Sequence, residues 1–160
     1  MNKKVCCFCG HRYIYHVNAE KIIREQLIKL IENDNIYKFY SGNMGEFDHL
    51  CESIVRNLKN IYPNIKLYWI APYNMQKINE NRKYYIDQYD GIIIPNLGDV
   101  YYKRKIGLRN RWMVDKSDAI LCYVIHNYGG SYNMMSYAEQ KKGILIEILN
   151  EDFRIIKNIK

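Results

Sequence analysis

Residues 109–143 read RNRWMVDKSDAILCYVIHNYGGSYNMMSYAEQKKG, and how this stretch divides decides the fold. Ala119 to Ile125 is continuously apolar without alternation, the pattern of a strand buried on both faces of a parallel sheet. A basic helical segment with Arg109 and Arg111 precedes it. The turn His126-Asn127-Tyr128-Gly129-Gly130-Ser131 follows and leads into a second helix, expected to stop at Gly143. Adjacent glycines let a backbone come close to a ligand, and the unpaired N–H groups of a helix start favour an anion. Arg109 and Arg111 are suited to charge-assisted hydrogen bonds with phosphate. The stretch therefore predicts a phosphorylated ligand at the turn. A lone Gly-Gly is equally consistent with a sharp strand-to-helix connection, so its meaning rests on what the rest of the chain supplies.

Working outward, the same strand-then-helix order repeats. Val5 to Cys9 (VCCFC) reads as the central strand, ending at Gly10-His11-Arg12. Asn18 is a candidate cap for a helix from Ala19 to about Glu32, in which Ile22, Ile23, Leu27, Leu30 and Ile31 follow helical spacing. Ile36 to Tyr40 is a second strand, running into Ser41-Gly42-Asn43-Met44-Gly45 and a helix from about Glu46 to Asn60. Asp48 falls in the first turn of that helix, where the dipole favours a carboxylate and where it is also placed to meet a ligand hydroxyl. Pro63-Asn64 turns the chain into a third strand, Ile65 to Ile70, closed by Ala71-Pro72-Tyr73. One helix is expected from about Met75 to Gln88, then a short strand from Ile92 to Ile94. Asn96 to Lys105 has no period and reads as a lid. Ile144 to Leu149 is a sixth strand, and the polar tail Asn150 to Lys160 is expected to pack only in part.

This alternation predicts an α/β fold: a Rossmann-like, open, mostly parallel sheet with helices on both faces, as a single domain over residues 1–160. The glycines then sort into two groups. Gly91 and Gly143 precede strands and read as helix C-caps at one edge. Gly10, Gly42, Gly45, Gly129 and Gly130 follow strands and gather at the carboxyl edge, where open α/β sheets bind ligands.

At 160 residues the chain suits one domain with a sizeable core. It has no apolar run long enough to span a bilayer and no signal-peptide pattern, so a cytoplasmic protein without membrane partners is expected. Five cysteines, an odd number, fit a reducing compartment. Cys6 and Cys9 form a C-x-x-C, but strand alternation separates them and no second pair completes a zinc set. No metal and no cofactor are assigned. The formal charge of +7 suits a polyanionic partner, yet a chain rich in Lys, Asn, Ile and Tyr owes much of its basicity to AT-rich coding, so charge alone decides nothing.

Three blocks together, CCFCGHR, SGNMGEFD and RNRWMVDKSDAILCYVIHNYGGSYNMMSYAEQKKG, resemble the SLOG superfamily, most closely its YpsA-like branch, with wider kinship to LOG enzymes and DprA. The likeness runs from about Val5 to Ile148. It implies a Rossmann-like domain holding a nucleotide or nucleotide-derived molecule in a glycine-lined cleft, and a homo-oligomer of the LOG kind. LOG enzymes cleave the N-glycosidic bond of nucleoside monophosphates with an arginine, matched here by Arg109, and a glutamate closing P-G-G-x-G-T-x-x-E. Gly129 and Gly130 match that motif, but Tyr132 and Asn133 replace its G-T pair and Ser136 stands at the glutamate. Ser131 keeps the hydroxyl frequent after Gly-Gly in the YpsA-like branch.

A serine cannot supply the charge that stabilises an oxocarbenium-like state. Binding of a nucleotide-like molecule, in a sensing or sequestering role, is therefore the first expectation. Its contacts are expected from Gly10, His11, Arg12, Ser41, Gly42, Asn43, Gly45, Asp48, Pro72, Tyr73, Arg109, Arg111, Tyr128, Gly129, Gly130 and Ser131. Tyr73 or Tyr128 would stack on a base. The second expectation is an N-ribohydrolase using Arg109 with Asp48 or Glu139. Single-stranded nucleic-acid binding ranks third, because no run of basic residues interleaved with aromatics dominates.

Overall fold

Cys6, Cys7, Phe8 and Cys9 are at most 2% exposed, so the first strand is covered on both faces and the others are arranged about it. The structure, a computed structural model, describes residues 2–150 and the backbone of residues 155–159. Seven strands form one sheet: β1 (Lys4–Gly10), β2 (Ile36–Ser41), β3 (Lys66–Ile70), β4 (Gly91–Ile93), β5 (Ala119–Tyr123), β6 (Leu145–Leu149) and β7 (Ile155–Ile159). Their spatial order is β4-β3-β2-β1-β5-β6-β7. The first six run parallel, and β7 pairs antiparallel with β6 at the edge.

The connecting helices are α1 (Ala19–Asp34), α2 (Glu46–Leu58), the short α3 (Gln76–Glu80) and α4 (Arg82–Gln88), α5 (Tyr102–Asp115) and α6 (Gly130–Gln140). Ile23, Leu27 and Leu30 of α1 and Phe47, Cys51 and Val55 of α2 pack on one face with Phe8, Phe39 and Trp69. Met113 and Val114 of α5 and Met134 and Ala138 of α6 pack on the other with Cys7, Cys9 and Cys122. Helices therefore cover both faces, and Cys6 and Cys9 lie on opposite sides of the sheet.

Strand order positions the site. The chain steps outward from β1 through β2, β3 and β4, then returns to the far side of β1 with β5. The loops after β1 and β5 leave toward opposite faces and open a crevice at the switch point. Register fixes its rim: Cys9 pairs with Cys122 and Gly10 with Tyr123. The His11 N–H extends that ladder by donating to the Tyr123 carbonyl at 3.1 Å.

Several local expectations change. The helix foreseen over 75–88 breaks at Asn81 into α3 and α4. Only Ile78 of the two is buried, so no continuous apolar stripe holds one straight axis. Helix α5 takes in Tyr102 to Lys105, leaving 94–101 irregular. Those residues hide their period because they are solvent-facing and lack an apolar stripe. Asn18 stands at the N-cap of α1 without a side-chain cap bond. Gly91 is no helix cap: it begins β4, where a Cβ would lie 2.9 Å from the Tyr68 ring. Lys141 is the C-cap of α6, and Gly143, with φ +80°, shapes the following turn. The tail enters the sheet as β7, its backbone covering the edge of β6, while residues 151–154 lie outside the described residues. Among the described residues no helix is long and apolar enough to cross a membrane.

Candidate functional site

A cleft of about 310 Å³ lies at the switch point. Three corners far apart in sequence converge on it: Gly10, His11 and Arg12 after β1; Gly42, Met44 and Asp48 after β2; His126 and Tyr128 to Ser131 after β5. Helix α5 closes the remaining side with Ile106, Arg109, Asn110 and Met113. The β2 and β5 corners thus face one another across open space, as the glycine distribution predicts.

Two helices begin at this edge with the same backbone. Gly45, the N-cap of α2, has φ 95° and ψ 175°; Gly129, the N-cap of α6, has φ 92° and ψ 178°. Only glycine occupies this region without strain. What meets the two helix starts differs. Glu46 and Asp48 lie in the first turn of α2; Asp48 Oδ2 accepts from the Met44 N–H at 3.0 Å and Glu46 Oε2 from the Ile14 N–H at 2.8 Å. The first turn of α6 holds no acid and no side-chain cap, and a Cβ at Gly129 or Gly130 would meet nothing within 4 Å. Neither start has a side-chain cap bond; that of α2 carries two acidic residues in its first turn, and that of α6 carries none.

Arg109 is 1% exposed. Its Nη1 donates to the carbonyls of Ile70 at 2.7 Å and Gly42 at 3.0 Å, its Nε to Asn110 Oδ1 at 2.9 Å. Its Nη2 meets the thioether of Met44 at 3.2 Å, a weak acceptor. Gly42 leaves room for this group, since a Cβ there would lie 3.1 Å from the guanidinium. Among the described residues no carboxylate lies within ion-pair distance of Arg109; its hydrogen bonds go to neutral oxygens and a sulfur, and Asp48 acts on it only from farther off. Burial lowers its pKa to about 10, which leaves it cationic at neutral pH.

Asp48, 6% exposed, stands on the cleft wall with its Oδ1 lacking any hydrogen-bond partner among the described residues. Burial pushes its pKa up to about 7; the Met44 N–H opposes the shift, nearby Glu52 adds to it, and Arg109 opposes it more weakly. The His11 ring accepts at Nε2 from the N–H groups of Ile125 at 2.7 Å and His126 at 3.2 Å, which fixes the proton on Nδ1. Burial and His126 lower its pKa in keeping with a neutral ring. Tyr128 is 68% exposed and stacks on His126 at 5.3 Å, leaving the phenol at the rim.

The remaining candidates divide. Asn43, Gly45, Pro72 and Tyr73 line an adjoining cavity that shares Arg12 and Gly42 with the cleft. Ser41 is fully buried; its hydroxyl donates to Glu52 at 2.7 Å and accepts from the Asn43 N–H at 3.0 Å, so it braces the loop. The Ser131 hydroxyl donates to the Gly10 carbonyl at 2.7 Å, tying the β1 and β5 corners together. Arg111 lies over the Tyr137 ring at 5.3 Å and lines a side groove rather than the main cleft. Neither Glu139 nor Ser136 is on the cleft wall. Glu139 is nine residues beyond Gly130, roughly 13 Å along α6 at helical rise. The sequence reading omits Phe8, Cys9, Met44, His126 and Met134, and also Ile106, Asn110 and Met113; these last three flank Arg109 at helical spacing, and projecting α5 from Arg109 finds them.

A family model named YpsA, described as the YspA SLOG family, matches residues 11–152. The chain belongs to this SLOG family. A UPF0398 protein of Bacillus cereus (strain ATCC 14579) is 27% identical over 136 residues, covering 78% of this chain and 70% of that protein. Another from Bacillus thuringiensis (strain Al Hakam) is 27% identical with the same coverage. Among solved structures, the molybdenum cofactor carrier protein of Chlamydomonas reinhardtii is similar with TM-score 0.55 and 13% identity, over 91% of this chain and 76% of that one. DNA processing protein A of Helicobacter pylori, described for its single-stranded DNA binding mode, is similar with TM-score 0.59 and 16% identity, over 91% and 64%. These likenesses show a shared fold with this SLOG chain.

Proposed function

We propose that the cleft binds a nucleotide or nucleotide-derived small molecule, in a sensing or sequestering role. One observation carries the reading: the buried Arg109 guanidinium has no carboxylate within ion-pair distance, and it shares the cleft wall with the uncapped start of α6. A buried charge is costly unless compensated, and an anion at the helix start compensates it from solvent. The fold also occurs in a protein named as a cofactor carrier and in one described with single-stranded DNA, so both partner classes are compatible with it.

The test has two steps. Mass spectrometry of small molecules released on denaturing the purified protein is expected to find a nucleotide-like species. Calorimetry with nucleoside mono-, di- and cyclic phosphates and ADP-ribose follows. Gly130→Asp is expected to weaken binding about a hundred-fold or more, because like charges in an enclosed site cost several kcal/mol. The cleft has space for that side chain, so loss of binding with an unchanged unfolding temperature isolates the anion contact. No released species and no binding across the panel would sink the reading.

A second reading is favoured by one feature, the free Oδ1 of Asp48 on a carboxyl that titrates at about 7. It assigns Asp48 to assist cleavage of an N-glycosidic bond beside Arg109, in place of the carboxylate absent at Ser136. Release of free base from nucleoside monophosphates, abolished by Asp48→Asn, supports it. Intact nucleotide after long incubation at high protein concentration removes it.

A further inference from the structure

The cleft has a second lobe. It shares Arg12, Gly42, Met44 and Ile106 with a cavity of about 330 Å³, walled by Trp69, Pro72, Tyr73 and Met75, with Lys77 also at its surface. The two lobes differ in chemistry. The first holds the open start of α6 and the unpaired Arg109. The second lies against Gly45 at the start of α2, whose first turn carries the acidic Glu46 and Asp48. An anion entering there would face two acidic side chains, which the start of α6 lacks.

The second lobe instead offers flat apolar walls and one unmet donor. Trp69 is 1% exposed and its indole N–H has no acceptor among the described residues. Its ring faces are occupied, with Tyr85 at 5.1 Å, Tyr89 at 5.9 Å and the Lys77 amine at 5.2 Å. The N–H edge, itself buried, is the part of the ring without a partner. Tyr73, half-buried and held edge-on by Tyr102 at 6.1 Å, offers the stacking surface. Asp48 lies on the wall of the first lobe in the turn that follows Gly45, with Oδ1 lacking a donor.

We infer that the second lobe is a nucleobase subsite, so that one ligand lies across both lobes: phosphate on Gly129 to Ser131, a sugar hydroxyl donating to Asp48, and the base on Tyr73 accepting from the Trp69 indole. This rests on the nucleotide reading above and adds direction and selectivity to it. The order open helix start, unpaired acceptor, aromatic slot with an unpaired donor is the order phosphate, sugar, base. Two buried polar atoms without partners, one acceptor and one donor, are both accounted for by a single molecule.

The experiment compares AMP, GMP, CMP and UMP with ribose 5-phosphate, which lacks a base. The chain has two tryptophans, and Trp112, packed on Tyr40 and lining neither lobe, is replaced by Phe so that emission reports Trp69 alone. At least one nucleotide is expected to bind about ten-fold or more tighter than ribose 5-phosphate, the scale of one base on an aromatic ring. That nucleotide changes Trp69 emission and ribose 5-phosphate does not. In the native background, Tyr73→Leu or Trp69→Phe then erases the advantage while leaving ribose 5-phosphate affinity alone. Tyr73→Leu, at a half-buried position, keeps the test open if Trp69→Phe does not fold. Equal affinity for all five compounds with silent Trp69 emission overturns the base subsite and leaves the anion site standing. Binding of none of them overturns both.

Discussion

Asp48 shows how one residue serves the fold and the cleft at once. Its Oδ2 holds the Met44 N–H, and its Oδ1 is buried without a hydrogen-bond partner among the described residues. Below about pH 4 the carboxyl is protonated whether the chain is folded or not, so its burial adds no pH-dependent cost. Between about pH 4 and 7 the unfolded chain releases the proton and the folded chain keeps it, because burial raises the pKa from 3.8 to about 7. Stability therefore falls as pH rises through that window and levels off above it. Glu52, raised by burial, contributes with the same sign. Asp48→Asn keeps an oxygen for Met44 and removes the titration, so its unfolding temperature is expected to vary less over pH 4 to 7 than that of the native chain. Parallel pH profiles would show that Asp48 is ionised in the folded state. Nothing in the sequence separates this Asp48 from an ordinary first-turn carboxylate, since the difference lies in what covers it.

The glycines contrast in a similar way. A Cβ at Gly10 would overlap the Phe47 ring, and at Gly45 it would meet Arg12 Cα at 2.7 Å with φ at +95°. Gly10→Ala and Gly45→Ala are each expected to destabilise by about 2 kcal/mol or more, through overpacking or backbone strain. Gly130→Ala, in open space and helical, is expected to be neutral or stabilising by about 1 kcal/mol. Chemical denaturation of the three variants reads the difference.

At the scale of elements, the stretch that most resembles its family divides between two jobs. Arg109 and Met113 reach the cleft, while Asp118 helps build the opposite edge. Asp118 Oδ2 accepts from the Val5 N–H at 2.9 Å, and the Asp118 carbonyl accepts from the Leu145 N–H at 2.9 Å, joining the starts of β1, β5 and β6. Lys141 closes the end of α5, its amine donating to the carbonyls of Val114 at 2.7 Å, Asp115 at 3.0 Å and Ser117 at 3.2 Å. A cation on the last carbonyls of a helix satisfies both their lone pairs and the dipole. Lys141→Met is expected to cost about 1–2 kcal/mol for loss of charge-assisted bonds, with nucleotide affinity unchanged because the cleft lies at the other edge. Loss of affinity with retained stability would instead couple α5 to the site. Each strand of the parallel sheet was legible as a mainly apolar run, because burial on both faces favours apolar residues even where Lys38, Lys66 or Glu147 interrupts. The split of α3 from α4 and the early start of α5 were not, since solvent-facing elements carry little apolar pattern, and strand β7 was read only as a polar tail.

For the whole molecule, the convergence of the Gly10, Gly42 and Gly129 corners was legible once the strands were parallel, because every post-strand loop then falls at one edge. The partnering of Arg109, Met44 and Asp48 was not, since it depends on side-chain geometry across three elements. The formal charge of +7 is the least informative feature, and it bears on the choice between a small molecule and nucleic acid. Lys103 and Arg111 line a side groove that also reaches Gly130, so positive charge flanks the mouth nearest the open helix start. Such a field draws either polyanion toward the cleft. Counterion release distinguishes them: single-stranded DNA loses affinity with a slope of about 0.7 per phosphate contacted, whereas a mononucleotide engages one or two charges. Mononucleotide affinity is therefore expected to change little between about 50 and 200 mM salt and to vanish in Gly130→Asp. Oligothymidylate binding is expected to decay steeply over the same range and to ignore Gly130→Asp. If oligonucleotide affinity instead depended on Gly130 while mononucleotides failed to bind, the open start of α6 would be a contact point for a DNA strand, and the small-molecule assignment would give way to nucleic-acid binding.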